Sequence, residues 1–319
     1  MTDLYPMKLT PVAKSAIWGG ERLRRDWQKP SDLPVVAETW ELAVREKENN
    51  IIQNGPFQGK TLANVFKNTQ KDLIGTRAGG DRFPLLVKFI DANDRLSVQV
   101  HPDDAFAGAV EGDLGKTEMW YIVDADEGAS ILLGLVPGAT AEDFARATAA
   151  GDPEPVLRRI KVQKNDCFFI PAGMPHAIGK GILVAEIQQN CDLTYRVFDY
   201  NRRDKNGNLR ELHIDKALQV TKPFTDNEVD AIRYARGKES NGQLANCPYF
   251  AVQKVALEKI FEGNVTNESF CSLLFLSGEG EVTANGVSVP FVKGDSIFLP
   301  AGIGAYTLHG TGEVLISTL

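Results

Sequence analysis

The segment K-N-D-C-F-F-I-P-A-G-M (Lys164–Met174) has a second copy near the end of the chain, K-G-D-S-I-F-L-P-A-G-I (Lys293–Ile303). Six of the eleven positions are identical, and a seventh pairs Ile with Leu. In both copies a turn of the Asn-Asp or Gly-Asp type leads into a short apolar strand that ends at Pro-Ala-Gly. A turn–strand–turn unit that recurs in this way predicts two related β domains in one chain.

The two copies differ in the residue that follows them. His176 stands five residues after Pro171, whereas Ala305 stands five residues after Pro300. The pattern Asp-x4-Pro-x-Gly followed closely by His resembles the second signature motif of the cupins, which are small double-sheet barrels that commonly hold a metal ion. The resemblance implies a metal site in the first domain and none in the second.

Short apolar runs bounded by Gly, Pro, Asn or Asp recur along the chain and predict strands. These runs are Leu85–Ile90, Leu96–Val100, Met119–Val123, Ser130–Leu133, Cys167–Ile170, Ile182–Gln188, Thr194–Phe198, Ala251–Leu257, Cys271–Leu276, Glu281–Thr283, Ser288–Val292, Ser296–Leu299 and Val314–Ser317. Helices are predicted at Leu62–Lys67, Asp103–Val110, Ala141–Ala150 (capped by Thr140) and His213–Val220. We therefore expect a mainly all-β fold of two cupin-like jelly-roll barrels with a few short helices.

A charged stretch that carries Pro, Asp, Asn and Gly, Lys222–Gln243, separates the two sets of predicted strands. We place the domain boundary there. Residues 1–222 are predicted to form a site-bearing cupin domain with an N-terminal extension, and residues 223–319 a degenerate second cupin domain.

The composition excludes several classes of protein. The chain has 319 residues, of which 43% are hydrophobic, and a net charge of -7. This acidic balance argues against general nucleic-acid binding, which needs a basic face. No apolar run approaches the roughly 20 residues of a membrane span, and the N-terminus lacks the apolar stretch of a signal peptide. We expect a cytoplasmic protein without a nucleic-acid or membrane partner. The oligomeric state is left open.

Four side chains with metal-binding atoms fall where strands of the first domain can bring them together. Gln99 and His101 lie two residues apart in a predicted strand, so both point to one face. Glu118 begins the next strand, and His176 follows the Pro-Ala-Gly turn. Two imidazoles, a carboxylate and an amide oxygen suit one zinc ion, with a position left for water or substrate. Mixed nitrogen and oxygen sites also accept manganese or iron.

Several cations accompany these candidate ligands in the sequence. Lys116 stands two residues before Glu118, and Arg196 and Arg202 lie in T-Y-R-V-F-D-Y-N-R. Lys88 interrupts the apolar run P-L-L-V-K-F-I, and a buried Lys needs a partner or a task. The cations predict a site for a negatively charged small molecule.

The chain resembles a type I phosphomannose isomerase of the short bacterial form. The matching segments occur in the family order and are Ile17–Gly20, Glu38–Glu41, Asn54–Leu62, Leu96–Asp104, Lys116–Trp120, Pro171–Gly179, Glu186–Asn190 and Thr194–Arg202. The resemblance implies that the substrates are mannose 6-phosphate and fructose 6-phosphate. It also implies zinc on Gln99, His101, Glu118 and His176, a catalytic Arg196 and an active-site Lys116. K-T-E stands here where many members have K-P-E, and the helical insertion of the longer forms has no counterpart, which leaves the phosphate contacts open.

Aldose–ketose isomerisation moves a proton between C2 and C1 through a cis-enediol. Negative charge develops on a substrate oxygen, and a metal cation and a guanidinium can stabilise it. We therefore expect Arg196 to act on this charge and Lys116 to contact the reacting oxygens or assist proton transfer. Either a water at the metal or a carboxylate such as Glu186 can be the base. Lys88, Glu186 and Arg202 are the expected substrate contacts, with Arg202 a candidate for the phosphate.

Three other functions are compatible with parts of the pattern. They are a metal cupin isomerase or epimerase for a different sugar phosphate, a sugar-binding cupin without catalysis, and a metal-dependent oxygenase. Lys116 and Arg196 argue against a pure binding protein, which needs no charge-stabilising pair beside its metal. The Gln99 ligand and the flanking cations argue against the oxygenase.

Overall fold

A computed structural model describes residues 4–204, 206–231, 233–235 and 242–319. The predicted mainly β class is confirmed. The helices are α1 Arg22–Arg25, α2 Leu62–Ile74, α3 Asp104–Val110, α4 Ala141–Ala149, α5 Ile214–Val220 and α6 Asp226–Ala231. All four predicted helices are present, and α2 is longer than predicted. None of the helices in the described ranges is long and apolar enough to cross a membrane.

The strands include every predicted one, together with several short ones that the sequence pattern did not reveal. They are β1 Met7–Thr10, β2 Val12–Lys14, β3 Glu38–Leu42, β4 Ile51–Ile52, β5 Leu85–Ala92, β6 Val98–Val100, β7 Glu118–Ala125, β8 Ser130–Leu135, β9 Leu157–Lys161, β10 Cys167–Ile170, β11 His176–Ile178, β12 Ile182–Gln189, β13 Tyr195–Phe198, β14 Arg233–Ala235, β15 Gly242–Asn246, β16 Ala251–Leu257, β17 Ile260–Val265, β18 Cys271–Ala284, β19 Val287–Val292, β20 Ser296–Leu299 and β21 Gly304–Thr318.

These strands form three sheets. The central sheet has the order β14-β10-β7-β12-β5-β3-β2, and the small sheet has the order β13-β6-β11-β8-β9. The nine-stranded sheet has the order β15-β16-β21-β18-β20-β1-β4, with β17 on β21 and β19 on β18. Among the described strands no sheet closes on itself, so the expected barrels are open. The first consists of the central and small sheets, which share an apolar core that contains Trp120, Ile131 and Phe168.

The repeated motif has the same backbone geometry in both copies. Asn165 and Gly294 have positive φ angles of 72° and 91°, and so have the two Pro-Ala-Gly glycines. Gly173 N donates to the carbonyl of His101 at 2.8 Å, and in the second copy Gly302 N donates to Thr266 O at 2.9 Å. The glycine of the Pro-Ala-Gly turn therefore donates to the backbone of His101 in the first copy and to the backbone of Thr266 in the second.

β18 is longer than predicted, because the strand continues through Gly278 and Gly280 and two predicted strands form one. It covers both Cys271–Leu276 and Glu281–Thr283, which the glycines between them had separated in the sequence-based prediction. Gly278 lies opposite Gly312 of β21, and a Cβ on Gly278 would lie 1.8 Å from the carbonyl oxygen of Thr311. Glycine here permits a close contact between strands and does not end one.

The nine-stranded sheet covers an apolar face of the central sheet. Val87 and Phe89 of β5 belong to one buried cluster with Leu274, Phe298 and Leu315 of the nine-stranded sheet. β1 also pairs with β20. The N-terminal extension therefore completes a sheet built mainly from the end of the chain. The division of the chain at residue 222 stays a prediction, and part of the Lys222–Gln243 linker (232 and 236–241) lies outside the described residues.

Three aromatic rings pack together where the central sheet meets the nine-stranded sheet. Phe83 lies with its ring centroid 5.5 Å from that of Phe270 and 6.0 Å from that of Phe298. All three are fully or almost fully buried. Replacing Phe83 with Ala is expected to lower the free energy of unfolding by about 3–5 kcal/mol, because apolar burial is lost and a cavity remains. Urea unfolding measures this, with Val292→Ala at an exposed strand position as the matched control. A loss for Phe83→Ala as small as that of the control would contradict the packing described.

Candidate metal centre

The register of the small sheet aligns three of the predicted site residues side by side. Gln99 on β6 lies opposite His176 on β11 and, on its other side, opposite Arg196 on β13. Directly opposed residues of antiparallel strands project to the same face. Gln99 is therefore flanked by His176 and Arg196 on the face that carries the candidate ligands.

Glu118, at the start of β7 in the central sheet, meets these side chains from across the barrel. Its Oε1 lies 3.4 Å from His176 Nε2, and its Oε2 lies 3.6 Å from His101 Nε2. The side-chain amide of Gln99 lies 3.3 Å from His176 Nε2. The structure thus brings the four predicted ligands together. His101, Glu118 and His176 are the one cluster of three or more His, Cys, Asp or Glu donors among the described residues.

Buried atoms without hydrogen-bond partners show that a cation fits this cluster. His176 Nδ1 donates to Met174 O at 2.8 Å, so its Nε2 carries the lone pair, which lies near Glu118 Oε1 and the Gln99 amide. His101 Nε2 and both Glu118 carboxylate oxygens have no hydrogen-bond partner in the described part of the chain. Such orphaned acceptors are costly in a protein interior. Two nitrogen donors, a carboxylate and an amide are a ligand set that a divalent metal satisfies.

The protonation tendencies of the three groups agree with this fit. Burial lowers the pKa of His176 to about 4, and that of His101 well below its ordinary value, so both imidazoles are neutral at pH 7. Burial, reinforced by repulsion from Glu186, raises the pKa of Glu118 to about 8. A bound divalent cation reverses the penalty on the carboxylate, because its charge favours the ionised form.

The buried lysines lie beside carboxylates of the same site. Lys116 Nζ is 3.8 Å from Glu118 Oε2. Lys88 Nζ is 3.3 Å from Glu186 Oε1 and 3.8 Å from Glu38 Oε2. Burial opposes the charge on Lys88, but attraction to Glu186 and Glu38 outweighs it and raises the pKa of this lysine. Lys88 is therefore a buried cation that is paired with two carboxylates, as a charged residue in an apolar strand requires.

Glu186 is held in its ionised form. Burial alone raises its pKa, but the charges of Lys88 and Lys116 lower it overall. Its Oε2 also accepts a hydrogen bond from Trp120 Nε1 at 2.9 Å. Glu118 and Glu186 thus differ, since the surroundings raise the pKa of Glu118 and lower that of Glu186.

Arg196 retains free hydrogen-bonding capacity next to the candidate ligands. Its Nη1 donates to Glu211 O at 2.8 Å, but its buried Nε has no partner in the described part of the chain. Burial and the nearby Arg210 lower the pKa of Arg196. A guanidinium stays protonated under such conditions, so Arg196 provides a positive charge and an unused N–H donor.

Arg202, the predicted phosphate contact, also has hydrogen-bond partners within the protein. Its guanidinium donates to Asp199 Oδ1 at 2.5 Å and to Arg95 O at 2.5 Å. Asp199 also accepts two hydrogen bonds from Arg210. Arg202 and Arg210 thus share one buried carboxylate and stabilise the segment that follows Arg196.

Asp199 with Arg202 and Arg210, here called the arginine clamp, should contribute to stability in a pH-dependent way. Burial raises the pKa of Asp199, but the hydrogen bonds from Arg210 and Arg202 outweigh it and the pKa is lowered. The clamp therefore stabilises the fold fully above the unfolded-state pKa of about 3.9 and loses its contribution as the pH falls through the lower folded-state pKa. Asp199→Asn should cost about 1.5–3 kcal/mol at pH 7. Urea titrations should give a smaller difference from wild type at pH 3, and an equal difference at both pH values would contradict this assignment.

The sequence-based prediction missed one polar residue of the site. Gln188 is fully buried and lies opposite Glu118 in the register of β12 and β7. Its Nε2 donates to the carbonyls of Gln189 and Cys191, and its Oε1 has no partner among the described residues. A polar residue two positions after Glu186 in an apolar strand was the signal that could have revealed it.

Comparison with known proteins gives one family. Residues 7–128 match the family described as phosphomannose isomerase type I, catalytic domain, and residues 240–319 match the mannose-6-phosphate isomerase cupin domain. The mannose-6-phosphate isomerase ManA of Bacillus subtilis is 38% identical, with 98% of this chain and 99% of that protein covered. The mannose-6-phosphate isomerase of Streptococcus mutans is 36% identical, with 98% of both covered. The crystal structure of a Bacillus subtilis mannose 6-phosphate isomerase matches with a TM-score of 0.87 at 36% identity, covering 99% of this chain and 100% of that one. This chain belongs to the type I phosphomannose isomerase family.

Proposed function

We propose that this protein is a metal-dependent isomerase that interconverts mannose 6-phosphate and fructose 6-phosphate. The observation that carries the proposal is a buried cluster of metal-binding atoms with a cation on each side. Arg196 is the cross-strand neighbour of Gln99, and Lys116 Nζ is 3.8 Å from Glu118 Oε2. The names of the Bacillus subtilis and Streptococcus mutans relatives agree with it.

We assign the metal to Gln99, His101, Glu118 and His176, with zinc as the expected ion. The neutral imidazoles and the single carboxylate suit zinc, whose sites commonly combine nitrogen and oxygen ligands. When bound, the metal supplies a Lewis acid beside the substrate oxygens. Manganese and iron are accepted by similar ligand sets, so the choice of ion is decided by experiment.

The proton transfer requires a base and a means of stabilising negative charge. Glu186 is the proposed base, because Lys88 and Lys116 keep its carboxylate ionised inside the barrel. Lys88 orients it through their 3.3 Å ion pair. Arg196, with its unused Nε–H, is positioned to stabilise the oxygen that becomes negative in the enediol. Lys116 is proposed to contact the reacting oxygens. Arg202 stays a candidate for the phosphate, while its guanidinium also donates to Asp199 and to the Arg95 carbonyl.

The test combines metal analysis with a coupled assay. The purified protein is analysed for bound metals, and conversion of mannose 6-phosphate to fructose 6-phosphate is followed before and after chelation. Re-addition of zinc, manganese and iron(II) to the chelated protein identifies the ion that restores turnover. Conversion that depends on a stoichiometric metal supports the proposal, whereas a fully metal-loaded protein without conversion rules it out.

A further inference from the structure

The segment Lys116–Glu118 carries two groups of the proposed site, and a side chain from another strand holds its backbone. Thr117 N donates to Gln189 Oε1 at 2.9 Å, and Gln189 N donates back to Thr117 O at 3.1 Å. Gln189 is 4% exposed. The N–H between Lys116 and Glu118 is therefore satisfied by one glutamine side chain.

The other end of this amide is fixed by a carboxylate. Gln189 Nε2 donates to Asp104 Oδ1 at 2.9 Å, and the same oxygen accepts from Gly115 N at 2.7 Å. Because a carboxylate only accepts, it selects the orientation of the amide in which Oε1 faces Thr117. Asp104 and Gln189 thus hold both ends of the short stretch from Gly115 to Thr117.

We propose that Asp104 and Gln189 are positioning residues that set the places of Lys116 and Glu118 through the Thr117 backbone. The inference rests on the proposed function for the roles of these two groups. A buried N–H that loses its acceptor favours another backbone conformation. Displacement of a catalytic group by about 1 Å can reduce turnover about 100-fold. Among the described residues, neither positioning residue is hydrogen-bonded to a candidate metal donor, so both act through the segment that they hold.

The chain of bonds from Asp104 through Gln189 to the Thr117 backbone, here called the relay, also borders segments that flank strands of the nine-stranded sheet. Asp104 and Gln189 line a cavity of about 760 Å³ together with Tyr249 and Leu319. Tyr249 lies next to Asp104, and burial together with the charge of this carboxylate raises the pKa of its phenol. Residues from the second half of the protein thus border the outer end of the relay.

A polarity swap tests the relay. In Gln189→Glu the new carboxylate still accepts from Thr117 but opposes Asp104, so zinc affinity and kcat should each fall about tenfold or more. The double variant Gln189→Glu with Asp104→Asn restores the bond between these two side chains with donor and acceptor exchanged, and its net charge equals that of the wild type. Gly115 N loses its acceptor, because in the wild type it shares one Asp104 oxygen with Gln189. The double variant should therefore recover only part of the loss, with zinc affinity and kcat each at least about threefold above those of Gln189→Glu, because the two side chains are energetically coupled.

Zinc affinity, measured by competition with a chromophoric chelator, is independent of sugar turnover. It therefore tests the relay even if the proposed isomerase function fails. Gln253→Glu on an exposed position of β16 is the matched control and should change neither quantity. Wild-type zinc affinity and kcat in Gln189→Glu would overturn the proposal. Additive losses in the double variant would overturn it as well.

Discussion

Replacing His176 with alanine is expected to remove most of the metal affinity of this protein. His176 Nε2 faces Glu118 Oε1 at 3.4 Å, while its Nδ1 is committed to the Met174 carbonyl. The variant leaves one imidazole, one carboxylate and a neutral amide, and three donors of this kind hold a metal far less tightly. Loss of a group that only hydrogen-bonds to a metal ligand typically lowers metal affinity roughly 10–100-fold. Loss of the ligand His176 itself should lower zinc affinity by more than this. Turnover should fall with metal content.

The experiment compares metal content after dialysis and zinc affinity by chelator competition. His309→Ala, on an exposed position of the nine-stranded sheet, is the matched control and should retain the metal. Circular dichroism should show an intact fold in both variants, because removing a buried imidazole does not break a strand pairing. Zinc affinity within threefold of wild type in His176→Ala would exclude this residue as a ligand.

Replacing Arg196 with alanine is expected to preserve the metal and abolish most turnover. Arg196 is the cross-strand neighbour of Gln99 and has one unused buried N–H. Removal of a donor aimed at a developing negative charge typically lowers kcat about 10²–10³-fold. KM should change less, because the contact strengthens as the charge forms. Zinc content should equal that of the wild type.

Arg196→Lys and Arg203→Ala sharpen this test. Lysine keeps the charge but loses the planar fork, so Arg196→Lys should recover only part of the turnover. Arg203 is exposed and donates to the nearby Gly207 carbonyl, so Arg203→Ala should behave as wild type. Near-normal kcat in Arg196→Ala would remove this residue from its proposed role.

Much of the local architecture follows from the order of residues alone. Thr140 caps α4 with Asp143 in a reciprocal capping box, as the Thr-x-x-Asp spacing predicts. Asp103 likewise caps α3 by accepting from Phe106 N. The alternation of Gln99 and His101 along one strand required no tertiary information, because residues two apart share a face. Caps, turns and strand faces are short-range properties, so a single sequence specifies them.

The candidate site was partly predictable for a related reason. The Pro-Ala-Gly repeat predicted where each strand ends, and the difference between His176 and Ala305 predicted one metal site and not two. The second copy also has Thr266 at the turn contact that His101 makes in the first. The second copy therefore has no imidazole at either of the two corresponding positions.

Other features depended on which strand lies beside which. Lys88 was recognised as a buried cation, but Glu186 became its partner only through the pairing of β5 with β12. Arg202 stays the predicted phosphate contact, and its bond to the Arg95 carbonyl became visible only in the tertiary structure. The Lys88–Glu186 and Arg202–Arg95 contacts join residues 98 and 107 positions apart, and the local pattern contains no information on their register.

The sequence alone therefore determined the faces, caps and turns of this protein and the identity of its four candidate ligands. The tertiary structure alone decided the Lys88–Glu186 pair, the Asp104–Gln189 relay and the covering of the central sheet by the nine-stranded sheet. The physical reason is that side-chain periodicity is set by backbone geometry within a strand. Register is set by the burial of apolar surface between strands that are distant in the chain.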